Sequence, residues 1–169
     1  GNRHLLDHYG RATRAVALSL LEPDVTTRVN ALFSDLNGVA IYSATGTHWE
    51  EQAPDYWNMS TDIRTTATVL WAMARQKPES DLLPNIVRWL MEVRGEYAAS
   101  RRLYWESTHT TSWVLTGLVA YMRATGELRG EFDYTVALNG KVLLEGEVSA
   151  DNIYESQRLH IEIAELRGD

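Results

Sequence analysis

The chain has no cysteine. That excludes disulfides, thiolate metal sites, cysteine nucleophiles and thioesters from it. It does not fix a compartment, because secreted proteins also do without cysteine. Basic charge is in deficit: 16 Lys and Arg stand against 23 Asp and Glu, a formal net charge of −7. The arginines are scattered rather than blocked, so no duplex-binding surface is expected, since nucleic-acid binding needs clustered Lys and Arg. No apolar run approaches the roughly 20 residues that span a bilayer, so direct membrane insertion is not expected. Signal-peptide and lipidation patterns are missing as well. The chain opens Gly1-Asn2-Arg3 without methionine, which reads as an excised segment with a tag-scar glycine. There is no Gly-rich phosphate loop: Gly10, Gly38 and Gly46 stand alone.

What is present is a normal globular balance, 44% hydrophobic and 23% charged, over 169 residues, enough for one domain or two small ones. Six tryptophans are many for this length. They favour a substantial core or a binding groove.

Two stretches repeat. Trp57-Asn58-Met59-Ser60-Thr61 leads into Thr65-Thr66-Ala67-Thr68-Val69-Leu70. Trp105-Glu106-Ser107-Thr108 leads into Thr110-Thr111-Ser112-Trp113-Val114-Leu115. The Thr-Thr pairs stand 45 residues apart, the size of one helical hairpin. Such a repeat cannot bury its apolar face alone and stacks on neighbours. Thr47-His48-Trp49-Glu50 reads as a third, weaker copy.

Periodicity predicts five helices. The first, about 4–21, places Leu5, Leu6, Tyr9, Ala12, Val16 and Leu20 on one face and Asp7, Arg11 and Arg14 on another. Glu22-Pro23-Asp24 breaks it. The second carries a clean stripe of Val25, Val29, Leu32, Phe33 and Leu36 and stops at Asn37-Gly38. From there to Asn58, Gly46, Pro54 and many polar residues read as loop. The third, about 61–75, is capped by Ser60 or Thr61 and is apolar almost all round. The fourth, about 82–94, has Pro84 in its first turn and one stripe of Leu83, Ile86, Val87, Leu90 and Val93. The fifth, about 109–124, is capped by Ser107 or Thr108 and is again apolar nearly all round. Inner helices three and five would alternate with outer helices two and four, as in a solenoid or an α/α toroid.

At Gly126–Gly130 the character changes. Phe132, Tyr134, Val136 and Leu138 alternate with polar or small residues, as in a strand. Asn139-Gly140 is a strong hairpin signal and Lys141–Val148 is the return strand. Leu159, Ile161 and Ile163 suggest a third strand. Pairing Leu138 with Lys141 would set Val136 against Leu143 and put apolar groups on both faces. The fold class expected is α+β: a helical-hairpin arc over 1–127, then a small antiparallel β segment over 128–169.

The candidate chemistry is thin. His109 with Ser107 and Glu106 suggests a nucleophile–base pair, but a capped helix start explains the same residues. His48 beside Glu50 and Glu51 suggests a metal or acid–base site; a polar loop anchored by Trp49 is the ordinary reading, with no second ligand at metal spacing. His4 and His8 lie at i, i+4 without the H-E-x-x-H pattern and are expected on a solvated face. Asp55, Asp62, Glu50 and Glu51 suggest the paired carboxylates of a toroid glycosidase, or else helix-start acids favoured by the macrodipole. Trp71, Trp89 and Trp113 read as core. No residue is assigned a catalytic, cofactor-binding or metal-binding role, and no cofactor is expected.

Five phrases recur in order: Tyr9-Gly10-Arg11-Ala12; Thr47-His48-Trp49; Ser60-Thr61-Asp62-Ile63-Arg64-Thr65-Thr66-Ala67; Leu83-Pro84-Asn85-Ile86-Val87-Arg88-Trp89-Leu90-Met91; and Ser107-Thr108-His109-Thr110-Thr111. With the switch to strands after them, they resemble bacterial α2-macroglobulin-like proteins over nearly the whole chain. The match is to the C-terminal part of the thioester domain, an α/α toroid, and the adjoining β-sandwich segment. That resemblance implies a large secreted or periplasmic endopeptidase inhibitor that traps proteases. The Cys-Gly-Glu-Gln thioester motif of many members would lie upstream, so no catalytic residue carries over. The role implied for this segment is scaffolding, with proteases as partners through the parent protein and neighbouring domains as direct contacts.

Two other readings compete. One is an enzyme on a toroid, of glycosidase or terpenoid- or prenyl-processing type; no Asp-rich or metal-ligand motif supports it. The other is a ligand-binding module using the Trp-rich loops. Exposed helix faces and open strand edges would also invite self-association.

Overall fold

The structure, a computed structural model, describes residues 5–21, 26–53, 55–94, 105–127, 131–149, 151–152 and 156–161. The protein is α+β. It divides into two compact units, Gly1–Thr125 and Gly126–Asp169. His4, the Glu22-Pro23-Asp24 break, Val25, Pro54 and Ile163 lie outside the described residues.

The first unit holds α1 (His8–Leu21), α2 (Thr26–Asn37), strands β1 (Ile41–Ser43) and β2 (Gly46–His48), a 3-10 turn (Tyr56–Asn58), α3 (Asp62–Gln76), α4 (Leu82–Glu92) and α5 (Thr108–Thr125). α3 is the hub. Eleven of its 15 residues are buried, among them the polar Arg64, Thr65, Thr66 and Thr68 as well as the apolar run from Val69 to Ala74 other than Trp71. Its start is fixed by Thr61, whose hydroxyl accepts from the Arg64 amide at 3.1 Å. α1 and α5 pack on α3, α2 packs on α1, and α4 packs on α3. So α1, α3 and α5 form an inner set, with α2 and α4 outside it.

Small residues set the spacing. Gly117 faces α3 so closely that a Cβ there would lie 2.7 Å from the Ala67 carbonyl oxygen. On α1 the same requirement shifts the expected face. The structure buries His8, Ala12, Ala15 and Val16, while Leu5 is 71% and Leu20 66% exposed. Alanines, not leucines, let α1 approach α3. The α2 stripe of Val29, Leu32, Phe33 and Leu36 is buried as expected. With Leu70, Met73, Leu83, Ile86 and Leu90 it makes one core. Each such side chain contributes about 1.5–3 kcal/mol by leaving water.

The stretch expected to be loop after Gly38 contains a small antiparallel ladder, Ile41 with His48 and Ser43 with Gly46. The ladder packs on α4. Gly46 makes this fit, at φ +132°: a Cβ would collide with the Asn85 carbonyl and lie 2.8 Å from the Trp89 nitrogen.

The second unit is a hairpin of β3 (Phe132–Leu138) and β4 (Lys141–Val148). Asn139 and Gly140 both take positive φ, 50° and 79°, as the two-residue turn of a twisted hairpin demands. Leu138 pairs with Lys141, but the register then shifts and Val136 pairs with Leu144, not Leu143. A bulge adds one residue to one strand and so exchanges the faces beyond it. Phe132, Tyr134, Val136, Leu144 and Val148 now share one face, and Asp133, Thr135, Glu145 and Glu147 the other. The two-faced apolar sheet expected from sequence is thereby corrected in part: Leu144 and Val148 leave the second face, while Val142, paired with Ala137, stays on it. Residues 156–161 form no strand, so Leu159 and Ile161 do not extend the ladder. No helix among the described residues is long and apolar enough to cross a membrane.

Candidate functional site

The repeated phrase builds two equivalent joints. Trp49 is fully buried and its indole Nε1 donates to the Leu36 carbonyl at 2.8 Å. Trp105 is 4% exposed and its Nε1 donates to the Leu90 carbonyl at 2.6 Å. Each indole thus satisfies a carbonyl at the end of the preceding outer helix, one of the groups a helix leaves unpaired. Each tryptophan backbone then exchanges two hydrogen bonds with a threonine hydroxyl of the next inner helix. The Trp49 amide donates to Thr66 Oγ1 at 3.0 Å, which donates back to the Trp49 carbonyl at 3.4 Å. The Trp105 amide and carbonyl pair with Thr111 Oγ1 at 3.2 and 3.1 Å.

The partner of Trp105 is therefore Trp49, not Trp57. Trp57 is 97% exposed and anchors nothing. The third, weak copy is in fact the anchor of the first.

The candidate carboxylates each have local hydrogen-bond partners. Glu51 reaches across to the start of α1, where its carboxylate accepts from the His8 and Tyr9 amides at 3.2 and 3.1 Å. Asp7 accepts from Gly10 at 2.6 Å. Three free N–H groups of α1 are satisfied, and two acids sit at the positive end of its dipole. Thr65 Oγ1 also donates to Glu51 at 2.9 Å. Asp62 holds the Glu51 amide at 2.9 Å, Asp55 organises the 3-10 turn, and Glu50 meets His48 at 3.2 Å. The four carboxylates thus serve separate local tasks.

Ser107 accepts from the Thr110 amide at 3.1 Å and caps α5. Its hydroxyl turns to Thr110 Oγ1 and not to His109. His109 Nε2 is buried without a partner. His48 stacks on Trp89, with ring centroids 4.5 Å apart and planes 1° from parallel. His8, expected on a solvated face, is 7% exposed and its Nδ1 lies 3.2 Å from Arg11; its place at the α1–Glu51 contact removes it from water. Among the described residues no three His, Asp or Glu side chains are grouped to hold a metal.

Two features escaped the sequence reading. Tyr9, Trp113 and Trp71, from α1, α5 and α3, form an aromatic row with edge-on contacts at 5.7 and 6.2 Å. Arg64, 4% exposed, lies 4.3 Å over the Tyr9 ring. Beyond Trp71 an open groove of about 630 Å³ runs between α3 and α5, with Leu115 and Val119 in its wall and Arg75 and Arg123 on its rim. The aromatic residues at helical spacing were a signal, but only the α3–α5 pairing brings them together.

No protein-family model matches this chain, and no curated protein matches it by sequence.

Proposed function

We propose that the chain is a structural and interaction segment of an α2-macroglobulin-like protease trap and carries out no chemistry of its own. The observation that supports this most is the repeated joint. Inner helices α1, α3 and α5, backed by α2 and α4 and stitched by Trp49 and Trp105, are what a stretch of α/α-toroid wall needs. The carboxylates that offered chemistry hold local structure instead. On this reading the parent protein works in the periplasm or outside the cell, and its partners are proteases.

A trap excludes large substrates from a caged protease while small ones still diffuse in. Incubating the parent protein with an endopeptidase should suppress cleavage of a protein substrate and spare cleavage of a short chromogenic peptide. Undiminished cleavage of both overturns the reading. Upstream sequence tests the enzyme alternative: a Cys-Gly-Glu-Gln motif would sink it, and a closed toroid with clustered acids in its mouth would favour it.

A further inference from the structure

The first joint carries a segment that the second lacks. Thr66 stands 17 positions after Trp49, whereas Thr111 stands only six after Trp105. The added chain is firmly braced. Asp55 Oδ1 accepts from the Trp57 and Asn58 amides at 3.1 and 3.3 Å, and the Asp55 carbonyl accepts from Ser60 at 2.9 Å. The buried Arg64 donates to the Asn58 carbonyl. All this presents Trp57 to water at 97% exposure, with Met59 at 54% beside it in a left-handed conformation, φ 51°. An exposed indole on a braced turn adds nothing to the core, and tryptophan is among the residues enriched at binding hot spots.

The same unit carries a matching receptor. The α3–α5 groove has an apolar floor of Trp71, Leu115, Val119 and Ala120 between exposed Arg75 and Arg123, with no acid in its lining. Its volume falls within the ~300–1,000 Å³ of ligand-sized clefts. The last-turn position of each arginine accounts for its sign, but not for the open floor between them. The knob has the opposite charge. From Val29 to Ile63 the chain has no lysine or arginine; Asp55 lies in the turn, and Glu50, Glu51 and Asp62 flank it in sequence. A guanidinium beside an indole gains further from cation–π attraction. Knob and groove sit towards opposite ends of α3, so a chain does not fill its own groove.

We infer that the Trp57 turn of one copy docks into the α3–α5 groove of a second copy, with Arg75 and Arg123 facing the acids around the knob. The contact is head-to-tail and so does not close on itself. This does not rest on the protease-trap reading.

Sedimentation velocity of the whole chain tests it, from about 10 µM to about 1 mM, the range of a small interface. The wild type should grow with concentration, and less so at high salt. Trp57→Ala, and separately the double variant Arg75→Glu/Arg123→Glu, should each weaken association ~30-fold or more. The two variants mixed should form a 1:1 complex that grows no further, because one supplies the groove and the other the knob. A monomeric wild type, undiminished association of either variant, or a mixture that stays monomeric overturns the inference.

Discussion

The two joints do the same work with different amounts of chain. Both bring an indole N–H to the end of an outer helix and a tryptophan backbone to a threonine hydroxyl. The second is direct: Trp105, Glu106, then the Ser107 cap. The first inserts the Glu51 brace and the Trp57 turn between anchor and helix. A repeat unit keeps the contacts that stack it and can vary the chain between them, because that chain lies on the surface. The comparison separates what the architecture requires from what one joint adds.

The largest expected effect removes an anchor. Trp49→Ala deletes a fully buried indole and leaves the Leu36 carbonyl with only the Val39 amide, so it should cost about 3–5 kcal/mol in urea unfolding. Trp105→Ala should fall in the same range. A loss under about 1 kcal/mol at either site would break the equivalence. Smaller, and sharper, is the removal of one hydroxyl. Thr66→Val leaves the Trp49 amide unpaired in a buried site, at about 1–3 kcal/mol. Thr111, half-buried, should cost less on the same change because water can reach its partner.

Smaller again is the brace that only the first joint has. Glu51→Gln keeps the size but replaces one acceptor oxygen and removes the negative charge at the α1 N-terminus. About 0.5–1.5 kcal/mol is expected. Faster amide exchange at His8 and Tyr9 than at the α5 start would show that the loss is local to α1. Equal changes at both would mean that Glu51 is not specific to the first joint.

Much of this architecture was legible. Helix periodicity, the Thr61 and Ser107 caps and the Asn139-Gly140 turn are local signals, and local signals survive in a sequence. What failed was non-local. The indole of Trp49 is an anchor because Leu36 happens to end beside it, and nothing near residue 49 says so. Leu5 and Leu20 look like core until α3 selects alanines for close approach. The bulge in β4 moves Leu144 onto the face of Val136 with no glycine to mark it. Of the candidate site, the carboxylates and histidines were visible as residue types. Their separate structural duties depend on contacts such as that of Glu51 with His8, 43 residues away. The groove could not be seen at all, since its walls come from two helices.

The smallest expected effect decides which tryptophan belongs to the repeat. In sequence, Trp57 is the obvious match to Trp105: each stands shortly before a hydroxyl cap and a Thr-Thr pair. By contacts, Trp49 is the match and Trp57 is solvent-exposed. Trp57→Ala should therefore change folding stability by no more than about 0.5 kcal/mol, as surface substitutions do. The measurement belongs at low protein concentration, where association adds nothing to apparent stability. Near-neutral Trp57→Ala beside a severe Trp49→Ala would assign the anchor by energy as well as geometry. A cost of several kcal/mol at Trp57 would mean that the turn is part of the joint after all, and that exposure alone misjudges its place in the fold.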